Sequence, residues 1–213
     1  MADPFPDYDV LAKRDTLSWN SKTREVIDAR LALAEREDVL DAAKRRTLGA
    51  IIGRVVPQPE GRSPINALAI VLGKIADDRL DGYRHESMPR TREAWTRGLD
   101  ALDAEAQKRH GRSFADLDAA QMDALLKSVE RGEVEAQAWA GIDPARFFQA
   151  RLLPDIVSAY YSHPSAWSAM GFGGPASPRG YVRMDANRRD SWEAAEKADG
   201  ATVPASWRNR HAR

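Results

Sequence analysis

Every strong apolar repeat in this chain recurs at helical period, and that regularity restricts it to a small set of folds. Val26, Ile27 and Leu31 lie on one side of a segment that turns helical from Asn20, with Ser21 as a cap candidate. Leu40, Leu48, Ile51, Ile52 and Val55 mark a second helix, which Pro57 and Pro59 stop. Ser63-Pro64 has the pattern of a cap followed by a proline at the first helical position. It predicts a third helix, with Ile65, Leu68, Ala69, Leu72, Ile75 and Leu80 as its buried stripe. A polar connector holding Tyr83, His85 and Glu86 leads to a fourth helix from Thr91, bearing Trp95, Leu99, Leu102 and Ala106 and ending at Gly111. Asp118 and Gln121 have capping-box spacing for a fifth, with Met122, Leu125, Leu126 and Val129. Alternating patterns are absent and β-branched residues are few. The sequence therefore predicts an all-α fold, an irregular bundle of about six helices with a long ordered Gly/Pro-rich C-terminal loop laid across it.

Composition narrows the chemistry. The 213 residues suffice to bury a core without metal or disulfide staples. Absence of cysteine excludes thiolate nucleophiles, Cys-ligated iron–sulfur clusters and covalent haem attachment within the chain. Lys plus Arg and Asp plus Glu balance at 32 each, so no global field favours nucleic acid or an anionic membrane. No segment has the apolar length to cross a bilayer, so direct membrane insertion is not expected. The first residues, MADPFPDYDV, carry prolines and acids where a secretory signal needs basic and apolar runs. By its own sequence the chain reads as cytoplasmic, with periplasmic co-export on a signal-bearing partner as the alternative. Residues 1–20 read as an N-terminal extension, 21–184 as a single helical domain, and 185–213 as a charged tail in which Trp192 and Trp207 are candidate anchors.

The most particular stretch runs from Phe147 to Met184. Asp143-Pro144 predicts a helix start. Phe147, Phe148, Leu152, Ile156 and Tyr160 then recur at helical spacing with Leu153, Val157 and Tyr161 beside them, a face wide enough to be buried, and Pro154 predicts a kink or a division into two helices. After His163-Pro164 the periodicity vanishes. Gly171, Gly173, Gly174, Pro175, Pro178 and Gly180 impose loop geometry on a segment that still carries Trp167, Met170, Phe172 and Tyr181. Ordering such a loop costs roughly 1 to 2 kcal/mol per residue, and burying each large apolar side chain returns about 1.5 to 3 kcal/mol. Side-chain burial alone cannot hold it. It needs satisfied backbone hydrogen bonds, docking on its own helices, or a partner.

A helix with paired aromatics, then Tyr160-Tyr161-Ser162-His163-Pro164, then Gly171-Phe172-Gly173-Gly174-Pro175 running to Gly180-Tyr181, resembles the gluconate 2-dehydrogenase subunit 3 family. The runs TLGAIIGRVVPQPE and GRSFADLDAAQMDALL are similar to that family's earlier helices. The resemblance implies a non-catalytic small subunit, without a cofactor of its own. Its implied partner is a glucose–methanol–choline-type flavoprotein that holds FAD and oxidises a sugar or sugar acid, with a cytochrome subunit as a further partner. Family members often begin with a twin-arginine signal, and the residues MADPFPDYDV depart from that pattern.

The residues themselves point to a surface, not a reaction centre. No phosphate-binding glycine loop, HExxH or nucleophile elbow occurs. Asp77 with Asp78, and Asp100 with Asp103, read as solvated helix faces. His85, Glu86, His110 and His163 have no metal-ligand spacing. Gly49 and Gly53 read as a close helix contact. The candidate partner interface is Tyr160, Tyr161, Trp167, Phe172, Gly173, Gly174, Pro175, Arg179, Tyr181 and Arg183, because aromatics and arginines dominate such surfaces. A stand-alone interaction or chaperone-like module is the alternative reading, and a metal-using or cofactor-free enzyme around His85 and the acidic pairs the third.

Overall fold

The computed structural model describes residues 5–59, 61–78, 82, 85–177, 180, 197–198 and 201–202. The fold is all-α. The described helices are α1 Ser21–Leu31, α2 Ala42–Val55, α3 Ala67–Asp77, α4 Thr91–His110, α5 Ala119–Arg131, α6 Pro144–Phe147, α7 Leu153–Tyr161 and α8 Pro164–Ala169, with a 3-10 turn at Val10–Lys13 and a π-turn at Phe148–Leu152. A two-residue antiparallel pairing, Lys197 with Thr202 and Ala198 with Ala201, is the only strand pair among the described residues.

The chain divides into two compact units. The central unit is Ala34–Pro57 with Asn66–Ala159, and the terminal unit is Met1–Leu33 with Gln58–Ile65 and Tyr160–Arg213. In the terminal unit Tyr8, Val10, Trp19, Ile27 and Trp167 form one buried cluster, with Phe5 and Leu11 packed against it.

In the central unit the helix ends follow local rules. Asp41, Asn66 and Asp118 each accept a backbone N–H at the third residue beyond, and Gln121 completes a capping box with Asp118. Gly111 and Gly132 end α4 and α5 in the left-handed conformation, with φ of 67° and 73°. The third helix begins later than Ser63-Pro64 predicts. The Gln58 side chain instead closes the preceding loop, accepting the Ile65 N–H at 2.8 Å and donating to the Ile65 carbonyl at 3.0 Å, so capping passes to Asn66. Leu80, assigned to that helix's stripe, lies outside the described residues, as does Tyr83.

The core of this unit gathers Leu48, Ile51, Leu72, Ile75, Trp95, Leu99, Leu102, Phe114, Phe147, Leu152 and Ile156. The Trp95 and Phe147 rings meet edge to face at 5.6 Å. Two buried carboxylates brace it. Asp155 accepts Trp95 Nε1 at 2.8 Å and pairs with Lys74 at 2.6 Å and Arg151 at 3.6 Å. Glu105, on α4, accepts the backbone N–H groups of Glu135 and Ala136 and the Arg109 guanidinium. Burial acts to raise the Glu105 pKa, but those N–H bonds and Arg109 outweigh it and hold the carboxyl below its ordinary value.

Ahead of Pro154 the helical run divides, as expected, into α6 and α7 with a π-turn between them. The Leu153 N–H reaches back to the Phe148 carbonyl, five residues away, so the turn before the proline widens to π geometry. The buried face is also narrower than the sequence suggests. Phe147, Phe148, Leu152, Ile156 and Tyr160 are buried, whereas Leu153 and Tyr161 are exposed.

Gly49 meets only Leu68 at ordinary contact distance, and nothing approaches Gly53. The close contact expected of that pair belongs to Gly98, where an added Cβ would stand 2.3 Å from the Phe147 ring. Gly98→Ala should therefore lose about 1 to 3 kcal/mol through overpacking, and Gly53→Ala should gain about 0.5 to 1 kcal/mol from helix propensity alone. Urea denaturation of the two variants checks the pair; equal effects would remove the packing explanation.

Candidate functional site

The Gly/Pro loop is held by backbone hydrogen bonds whose donors come mainly from the other end of the chain. Tyr8 Oη donates to the Phe172 carbonyl at 3.1 Å, and Trp19 Nε1 to the Pro175 carbonyl at 3.0 Å. Lys13 Nζ donates to the Gly173 carbonyl and, at 3.4 Å, to that of Pro175. Two residues further, the Ser177 N–H donates to the Ser18 carbonyl at 2.8 Å and the Asn20 N–H to the Ser177 carbonyl at 2.9 Å, a short parallel bridge. Lys13 is only 2% exposed. A buried ammonium is costly unless its donors are satisfied, and the loop carbonyls satisfy it.

Local sequence explains how the donors are aimed. Asp9 caps the 3-10 turn Val10–Lys13 by accepting the Leu11 N–H, which brings Lys13 inward behind the buried Val10. Two glycines let the loop lie close. Gly171 has φ 68° and an added Cβ would stand 2.6 Å from the Phe5 ring; Gly174 has φ 65° and its Cβ would meet Val10 at 2.8 Å. Conformation and space both require glycine there.

The segment after His163 departs from expectation, for Pro164–Ala169 is helical. Pro164 takes the first helical position, and His163 caps the helix, its Nδ1 accepting the Ser165 N–H at 3.2 Å. The helix carries Trp167, whose Nε1 donates to the Tyr161 carbonyl at 2.6 Å and whose carbonyl accepts the Phe172 N–H at 2.8 Å. Trp167 and Phe172 meet edge to face at 6.1 Å, and the Arg30 guanidinium lies 5.9 Å from the indole centre while donating to the Ser162 carbonyl. Ser168 Oγ accepts the Val10 N–H at 3.0 Å.

Burial sorts the ten expected interface residues. Tyr160 and Trp167, each 7% exposed, belong to the interior, and Gly174 is buried. Gly173 and Pro175 are half-buried. Tyr161 at 50% and Phe172 at 42% stand exposed, and Met170, at 51%, joins them unforeseen. Arg179, Tyr181 and Arg183 lie outside the described residues. Sequence reasoning passed over Tyr8, Lys13, Trp19 and Arg30. An indole in an otherwise polar segment, together with the Asp9 cap signal, was the cue available for the first three.

Four of the remaining polar candidates have structural partners in view. Asp78 accepts Arg90 Nε and the Arg92 N–H, Asp100 pairs with Lys44, and Asp103 accepts the Phe114 N–H. His85 Nδ1 bonds Ser87 Oγ at 2.7 Å. Among the described residues no group of three or more His, Asp or Glu side chains could hold a metal, and no helix is long and apolar enough to cross a membrane. Two open grooves flank the clamped loop in the terminal unit. One, of about 300 Å³, is polar and lined by Asp7, Asp9, Arg62, Ser165 and Ser168; the other, of about 360 Å³, is lined by Val26, Ile27, Arg30, Trp167 and Pro175.

The family model described as Gluconate 2-dehydrogenase subunit 3 matches residues 29–174, a span that ends inside the clamped loop. No curated protein and no solved structure matches the chain.

Replacing Lys13 with methionine keeps the stem's volume and removes the donor, leaving the loop carbonyls short of a partner. The expected loss is about 1 to 3 kcal/mol of stability, with faster amide exchange at Gly173 and Ser177. Unaltered exchange at those two amides would mean that the loop is held without Lys13.

Proposed function

The chain belongs to the gluconate 2-dehydrogenase subunit 3 family, and from that membership we propose that it is a non-catalytic accessory subunit that stabilises a flavin-dependent dehydrogenase by docking onto it. In this reading the partner is a glucose–methanol–choline-type flavoprotein. It holds the FAD and oxidises a hydroxyl of a sugar or sugar acid, while this chain carries no cofactor of its own. A cytochrome subunit accepts the electrons in such an assembly. The compartment follows the partner: cytoplasmic beside a flavoprotein without an export signal, periplasmic by co-export with one that has it.

The distribution of exposed apolar side chains supports an interaction role. Of the eight large ones exposed among the described residues, seven belong to the terminal unit: Leu17, Val26, Leu31, Leu33, Tyr161, Met170 and Phe172; only Leu153 belongs to the central unit. Phe172 is the strongest candidate contact. Its carbonyl and N–H are fixed by Tyr8 and Trp167, so an aromatic side chain is presented at little further entropic cost.

Co-expression with a flavoprotein of that type should yield a yellow complex, and the chain purified alone should be colourless. Phe172→Ala should weaken association by about 2 kcal/mol, roughly thirtyfold, with little change in the free subunit's Tm. Stoichiometric flavin on the isolated chain, or a Tm loss of the size expected for a core phenylalanine with binding intact, would overturn this assignment.

A further inference from the structure

His163 stands where α7 gives way to α8, only 6% exposed. The Ser165 backbone N–H can only donate, so the bond at 3.2 Å requires an unprotonated Nδ1 and places the ring's proton on Nε2. The cap therefore exists in one protonation state. We propose that His163 is a pH-sensitive cap that couples protonation to the anchoring of α8 and of the loop that presents Phe172.

The chemistry runs in one direction. A proton on Nδ1 turns the acceptor into a donor facing another donor, and the first turn of α8 loses its side-chain partner. The same proton puts an imidazolium at the positive end of a helix and into the field of Arg30, whose guanidinium donates to the neighbouring Ser162 carbonyl. The titratable and charged groups around the junction are Arg30 on α1, Tyr160 and Tyr161 at the end of α7, and Asp7, Asp9 and Arg62, which line the groove on the Ser165 and Ser168 side of α8. Of these, Arg30 is the charge acting on the ring, and among the described residues no carboxylate offsets it there. Burial first, and Arg30 second, hold the His163 pKa below its ordinary value. A lowered histidine pKa means that the unfolded or locally opened state binds the proton more readily. The anchoring is then complete above the ordinary value, about 6.5, and is lost as pH falls through the window below it.

What α8 carries makes the cap consequential. Trp167 ties the helix to the Tyr161 carbonyl and receives the Phe172 N–H, and Ser168 holds the Val10 N–H. Uncapping loosens both attachments together.

The test is amide exchange of the full chain at Ser165, Trp167 and Phe172 between about pH 7.5 and 5.5, corrected for intrinsic rates, beside the same series for His163→Asn. Asparagine keeps a cap acceptor and does not titrate. Protection in the unmodified chain should fall as pH drops across the interval, by up to about tenfold, the ceiling for one proton binding to an opened state of ordinary histidine pKa, and the asparagine variant should stay flat. Parallel profiles would overturn the proposal, because every ionisable group other than His163 is common to both proteins. The ring resonances of His163 in the unmodified chain give an independent decision if the variant folds poorly. A titration midpoint at or above the ordinary histidine value also overturns it.

Discussion

The loop from Gly171 to Ser177 depends on donors it does not contain. Its glycines and prolines build no helix or sheet, so its carbonyls need partners from elsewhere, and they are met by a phenol, an ammonium and an indole from Tyr8, Lys13 and Trp19. The partners are separated by 156 to 164 residues of chain. Burying an ammonium costs several kcal/mol without full hydrogen bonding, and a carbonyl left bare costs about 1 to 3 kcal/mol. Each side's penalty is relieved by the other, so the N-terminal segment and the loop are mutually required. A twenty-residue preamble and a C-terminal loop thus become one small folding unit with its own buried cluster.

How much of this could be read in advance depended on the range of the interaction. Caps and stops are local, and Asp118 with Gln121, Asp143 with Pro144, and Gly111 stand where their spacing places them. The fold class follows from the same local periodicity. Ser63-Pro64 and His163-Pro164 mark the limit of that logic. Both offer a capping side chain followed by a proline, yet the helix fails at the first and forms at the second. The difference is not local: Gln58 captures Ile65 and keeps the first segment closed, whereas Trp167 and Ser168 give the second a face to bury. The Lys13 clamp was illegible for the same reason. Lysine in a polar segment is ordinarily solvated, and only the folded chain brings Gly173 and Pro175 to it.

Aromatic content in the sequence does not by itself separate buried from exposed residues in this region. Trp167 and Phe172 are equally apolar in sequence and meet edge to face, but one is interior and the other half open to solvent. What separates them is the helix at Pro164–Ala169, which turns the indole toward Tyr8, Val10 and Trp19 and leaves the next turn to carry Phe172 outward. The loop geometry expected directly after His163 gives way to that helix, and Trp167 holds Phe172 through a backbone bond and a ring contact.

That separation bears on what family membership conveys. The matched span includes Tyr161, Trp167, Phe172 and Gly174 but begins after Tyr8, Lys13 and Trp19. The presented residues are thus within the part of the chain shared with the family, and the donors that fix the loop lie outside it. Substitutions in the two sets act on different free energies. Phe172 and Tyr161 already face solvent, so shortening them removes little from the folded chain, and under the proposed docking the effect falls on association. Lys13 and Trp19 are buried against carbonyls, so changing them acts first on the terminal unit's own stability, and on association only through the loop they hold. A variant that both melts low and binds weakly therefore identifies a positioning residue, and weak binding at an unchanged Tm identifies a contact.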